Sequence, residues 1–291
     1  MSGLPKAFLA TGTPSTDDIQ AHGIVKVPLI VARYHNSPLL YEKVGELVSI
    51  LQVNAVPRRA SYTLAYILQY LLNNEYRNES LESILRKLLQ VTIPLSEIDL
   101  KYIQFILDDD MIMRMMNLKM ELMRLANSIE ESIDARRGTK IMNIIVMKFF
   151  ENDTINATIE MVKNELHEDE REALEKATAA SASTSMSKSY LKKGGDEYKV
   201  QEVLKMFGLS CSLPSAFIGA LYIARKYWYS LEEAFEQNAL SGGDNCARAM
   251  IIGSILGVMR GTVIVPSLIE GMSATLRDSV VKKSLETCHF S

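Results

Sequence analysis

Apolar residues along this chain recur at intervals of three and four, the spacing of one helix face, far more than they alternate. After Pro28 the pattern turns helical. Leu40, Val44, Leu47, Val48 and Leu51 share one stripe, and the pattern predicts that Pro57 ends this element. The stretch from Tyr62 to Leu72 is apolar on nearly every side and reads as a buried helix, with Asn73, Asn74 and Asn78 as its exit loop. Ser80 supplies a cap for a third helix through Leu89, and Pro94 and Ser96 open a fourth. Met111 to Leu125 holds methionines at 111, 113, 115, 116, 120 and 123 on a long amphipathic helix. Those side chains either fill irregular core gaps or form an adaptable partner-binding groove. Further helices are predicted over 139–150, 156–180 with a charged distal portion, 198–208, 214–228, 230–239, 244–260 and 271–286. The best alternating run, Thr262 to Val265, is cut short by Pro266. The pattern predicts an all-α chain forming a compact multi-helix bundle.

Two stretches break the periodicity. Residues 1–21 are loop-like, and residues 181–197, with Ser-Ala-Ser-Thr-Ser, three lysines and Gly194-Gly195, read as a mobile surface loop. The expected organisation is an N-terminal loop segment followed by a single helical domain over 22–291, with the Met-rich section at about 91–150 inside it. At 47% apolar over 291 residues, the chain can bury a full core. Its formal net charge of −3, with both signs interspersed, gives no electrostatic case for binding nucleic acid or an anionic membrane. No window approaches the ~20 consecutive apolar residues of a membrane span. Cys211, Cys246 and Cys288 have no metal-ligand spacing, and without a secretory leader they read as free thiols in a reducing, cytoplasmic setting.

Candidate chemistry concentrates in Ser241 to Gly257. Gly242 and Gly243 predict a turn, and Asp244 stands where a helix begins. Gly253, Gly257 and Gly261 fall on one face, which predicts close approach of another backbone. Asp244 is either an N-cap or a carboxylate aimed at a cation or polar ligand. Arg248, in the first turn, is either a phosphate partner or a solvated side chain. Thr16-Asp17-Asp18 is either a carboxylate pair with a site role or an ordinary turn. His22 lies four residues beyond Asp18, as an acid–base group or a structural histidine.

Three blocks, in order, resemble the ADP-ribosylglycohydrolase family, and in particular its branch containing the J1 crystallins of jellyfish lenses. They are His22 to Tyr34 with the helix ending Leu51-Gln-Val-Asn54; Phe207 to Ala216; and Ser230 to Ala234 running into Gly242-Gly-Asp-Asn245 and Val265-Pro266. They span 22–90 and 155–270, and the section from about 91 to 150 has no counterpart. The resemblance implies an all-α fold with a central cleft. It also implies two magnesium ions that hold the distal ribose of ADP-ribose while its glycosidic bond to a protein side chain is cut. The family's metal ligands come from an early Thr-Asp-Asp motif and a late Gly-Gly-Asp-Thr-Asp-Thr motif. Carried onto this chain, Asp244 is the catalytic residue and a metal ligand with Asp17 and Asp18, while Gln52, Asn54, Gly242, Gly243 and Asn245 contact the substrate. From the residues alone, Gln52 and Asn54 equally read as caps of the helix C-terminus ahead of Pro57.

The late motif departs from the family pattern: Cys246 replaces its second carboxylate and Ala247 its hydroxyl. A thiol suits zinc or copper rather than magnesium. Thr16-Asp17-Asp18 lies closer to the Pro-Leu helix than the family's early motif does, and the N-terminus reads as shortened. Two functions follow. One is magnesium-dependent hydrolysis of an ADP-ribosyl linkage. The other is an inactive relative that binds ADP-ribose or a partner, or serves as a crystallin-like structural protein. Helices missing at the N-terminus would leave an apolar groove that favours self-association.

Overall fold

The computed structural model describes residues 16–74, 79–91, 98–126, 135–149, 155–183, 199–260 and 273–279. Among them the chain is all-α, with no strand and an isolated antiparallel bridge between Gln20 and Ser212. It divides into two compact units: Met1–Ile103 with Ser210–Ser291, and Gln104–Leu209.

In the first unit, helix α1 (Val27–Tyr34) carries Pro28 in its first turn, and α2 (Leu40–Leu51) buries Leu40, Val44, Val48 and Leu51, four of the five stripe residues. Helix α2 stops because Gln52 turns extended, at φ −146° and ψ 129°. Pro57 does not end it. The proline lies in the first turn of α3 (Ala55–Leu72), where its missing N–H would have had no helical acceptor. Asn54, likewise, caps the start of α3 rather than the end of α2, its Oδ1 accepting the Val56 N–H at 2.9 Å. Helix α3 is buried from Ala60 through Leu68, as its apolar run predicts. Ser80 caps α4 (Leu81–Leu88) by accepting the Ser83 N–H at 3.2 Å. Pro94 and Ser96 lie outside the described residues. Helix α5 (Lys101–Leu107) carries the chain across the boundary between the units.

The second unit holds α6 (Asp109–Ala126), α7 (Ala135–Phe149), α8 (Ile155–Glu165), α9 (Glu168–Ser183) and α10 (Val200–Phe207). Met115 and Met116 are fully buried on α6 while Met120 is exposed, so the Met-rich helix fills a core. Phe105 packs on Phe149 and Phe207 with ring centroids 5.3 and 5.7 Å away. The single helix expected over 156–180 is two. The chain breaks at Leu166-His167, and Glu168, Asp169 and Glu170 then occupy the first turn of α9, where carboxylates favour a helix start. Of the expected loop, 181–183 complete α9 and the remainder lies outside the described residues.

The first unit resumes with α11 (Ser215–Lys226), α12 (Leu231–Ser241) and α13 (Asn245–Arg260). Helix α11 is buried from Ser215 through Arg225 and packs against α13. Tyr102 meets Phe217 edge to face at 5.4 Å. The buried Arg225 donates from Nε and Nη2 to one oxygen of Glu82, at 3.0 and 2.9 Å, tying α11 to α4. At Gly253 and Gly257, the described glycines of its glycine-bearing face, α13 does not bring another backbone up close. A Cβ at Gly253 would stand 3.3 Å from the ring of Phe235, and one at Gly257 would meet nothing within 4 Å. That face opens onto a cavity of about 430 Å³ lined by Pro28, Val31, Leu68 and Gly257 among others. Gly261 and the Thr262–Val265 run lie outside the described residues, and of 271–286 only 273–279 are described. No helix among the described residues is long and apolar enough to cross a membrane.

Candidate functional site

The junction of α12 and α13 is built on two consecutive left-handed glycines, Gly242 at φ 74° and Gly243 at φ 69°. L side chains rarely adopt such angles, so the reversal depends on glycine at both positions. The Gly242 N–H donates to the Ala239 carbonyl at 3.1 Å, and the Asn245 N–H to the Gly243 carbonyl at 3.0 Å. The Ala247 N–H donates to Oδ1 of the half-buried Asp244 at 3.4 Å, so the carboxylate caps α13. Such a cap contributes about 1 kcal/mol. Gly243 and Cys246 are exposed, and Cys246 and Cys211 are free thiols.

On the inner side of this turn lies Arg248, 1% exposed. Its Nε donates to Asn238 Oδ1 at 2.8 Å, and Nη2 donates to Asn245 Oδ1 at 2.7 Å and to the Gly242 carbonyl. Asn238, itself buried on α12, donates its Nδ2 to the Asn245 carbonyl at 2.9 Å. One side chain thus links the end of α12 to the start of α13. Nη1 is buried without an acceptor among the described residues. Burial lowers the Arg248 pKa and the nearby Asp244 charge opposes that shift, but a guanidinium stays charged at any ordinary pH. Of the two readings of Arg248, the solvated side chain is excluded by its burial. Its environment could not be read from the residue type, since arginine is almost never fully buried unless paired. Asn238 also escaped the sequence reading. The available signal was positional: Asp244 and Arg248 stand four apart, on the same face of one helix.

The early residues serve a second cluster. Gln52, 1% exposed, donates through Nε2 to the carbonyls of Asp18 and Gln20, at 3.0 and 2.8 Å, and its Oε1 accepts the Gly23 N–H at 3.2 Å. Asn54 Nδ2 donates to the Thr16 carbonyl at 3.0 Å. Backbone bonds from Ala21 to Cys211 and from Leu213 to Ile19 pin the same strap from its other side. Asp17 is exposed. Asp18 Oδ1 accepts the Gln20 N–H at 2.9 Å, and Oδ2 lies 3.9 Å from His22 Nε2. The side chains of Gln52, Asn54 and Asn245 are thus all engaged by other parts of the chain.

Magnesium takes hard oxygen ligands in a near-octahedral array. Among the described residues, no group of three or more His, Cys, Asp or Glu side chains is placed to hold a metal ion. At the glycine turn the Gly242 carbonyl and Asn245 Oδ1 face a guanidinium, and the neighbouring thiol of Cys246 is a soft donor. Among the described residues, Asp244 is the one carboxylate this turn offers, fewer hard anionic ligands than a magnesium site draws on.

Fold and turn together define an all-helical protein whose acidic candidate residue opens a helix behind a double-glycine reversal. Residues 6–287 match the family model described as ADP-ribosylglycohydrolase, and the chain belongs to that family. Membership supports a glycohydrolase-like function. No curated protein and no solved structure matches the chain.

Proposed function

We propose that this chain is a crystallin-J1-like member of the ADP-ribosylglycohydrolase family that recognises an ADP-ribosyl group at the Gly242–Arg248 turn without metal-assisted cleavage. The family match supports the ligand class. The Gly242-Gly-Asp-Asn245 variant, with Cys246 in place of a carboxylate, supports the branch. The observation that carries the metal-free part is the buried guanidinium of Arg248 among the oxygens of the turn. In this reading the Asp244 carboxylate, an acceptor only, takes hydroxyl donors from a ribose diol.

Thermal melting with ADP-ribose in excess chelator tests it. A ligand at 100 times its dissociation constant adds about 2.7 kcal/mol of stability. The expected result is a saturable rise in melting temperature, weakened in Asp244→Asn, which keeps a capping oxygen. A flat response at millimolar ADP-ribose sinks the proposal. The match over nearly the whole chain favours a second reading, hydrolysis. Magnesium-dependent release of ADP-ribose from arginine- or serine-linked ADP-ribosyl peptides would establish it in place of the first.

A further inference from the structure

We infer that Arg248 is the resident cation of the glycine turn and supplies from within the chain the positive charge that the family's late motif draws from magnesium. Four observations converge on it. The guanidinium is 1% exposed, so its charge acts in a medium that screens poorly. Its acceptors are a main-chain carbonyl and two side-chain amide oxygens, neutral groups that bind a cation without cancelling it. The turn's own charges are consistent with this: Asp244 is its one carboxylate, Cys246 stands two residues on with a neutral thiol, and Arg248 follows four residues after Asp244. Finally, Asp244 interacts with Arg248 through its charge as well as capping α13. A divalent cation brought to this carboxylate would face a fixed positive charge that cannot be removed by deprotonation.

Arg248 is a positioning residue in this account. It fixes Gly242 and Asn245, and through Asn238 the junction of two helices. The inference deepens the proposed function and rests on its metal-free part. ADP-ribose binding is read separately in chelator, so either claim can fail alone.

Isothermal titration of magnesium chloride into the wild-type chain, at constant ionic strength, is the first test. No saturable heat and no change in melting temperature are expected, and a saturable isotherm overturns the inference. The second test compares Arg248→Lys with Arg248→Met. Both retain much of the aliphatic packing, so a merely space-filling role predicts equal melting temperatures. A resident cation instead predicts that the lysine variant melts higher by about 4 °C or more, equivalent to a difference of a kcal/mol or two in a chain of this size. Equal values overturn the inference. The third is the double variant Cys246→Asp with Arg248→Met, which restores a second carboxylate and removes the cation. It should gain a saturable, magnesium-dependent rise in melting temperature that wild type lacks, and a folded double variant without one counts against the inference. If neither Arg248 variant nor the double variant folds, the wild-type titration decides alone.

Discussion

The first unit secures two glycine-containing bends with one buried polar side chain each, by opposite means. Gln52 holds the strap around Gly23 with a neutral amide used at both ends: two donated bonds, one accepted, all to main-chain groups. Arg248 holds the Gly242-Gly243 bend with a charge, and one of its terminal nitrogens has no acceptor among the described residues. An unpaired buried donor costs about 1–3 kcal/mol, so the first clamp is complete and the second is not. Proteins tend to break local rules of this kind at functional sites and compensate elsewhere. Gln52 spends its amide on the main chain of the strap, whereas Arg248 keeps its charge beside Asp244 at the glycine turn.

The contrast yields an ordered series of effects on stability. Arg248→Met should be the most damaging, because it leaves the Gly242 carbonyl and two amide oxygens facing one another. Three hydrogen bonds from a charged donor, each about 1.5–3 kcal/mol, are lost together, a cost of about 4 kcal/mol or more, readable as a shift in urea midpoint at constant slope. Gln52→Leu, of similar volume, should cost about 2–3 kcal/mol by orphaning the Gly23 N–H and two carbonyls. If the two variants lose the same amount, the distinction between a charged and a neutral clamp fails.

A smaller effect tests an ion pair distant from both clamps in sequence. At Glu82, burial raises the pKa, but hydrogen bonds and charges from Arg86 and Arg225 outweigh it, and the net shift is downward. A depressed carboxylate contributes stability above its unfolded pKa and loses it as pH falls through the folded value. The chain should therefore lose up to about 1 kcal/mol in acid through this pair, since Glu82 is partly exposed and screened. Glu82→Gln should flatten that part of the acid limb of a stability–pH profile. Smallest of all, Gly257→Ala should stabilise the chain by about 0.5–1 kcal/mol in a thermal melt. It adds helix propensity where a new Cβ meets open space. Gly253→Ala should gain less, because Phe235 already stands against that position.

Helix positions were legible because the apolar stripe of α2 and the all-round apolar run of α3 leave few alternatives to packed helices. What failed was punctuation. Pro57 has the same residue type whether it ends one helix or sits in the first turn of the next, and only the extended backbone at Gln52 decides between them. The break at Leu166-His167 was hidden because acidic residues suit both an exposed helix face and a fresh helix start. At the site, the double-glycine bend and the place of Asp244 could be read from local chemistry. The burial of Arg248 could not, because its acceptors lie three, six and ten residues away and converge only once α12 and α13 have folded back on each other.

The claim that this bend carries its own cation is tested most directly by melting the wild-type chain and the Cys246→Asp, Arg248→Met double variant side by side across a magnesium series at fixed ionic strength. The account predicts a flat wild type and a saturable rise in the double variant. A saturable rise in the wild type would contradict it.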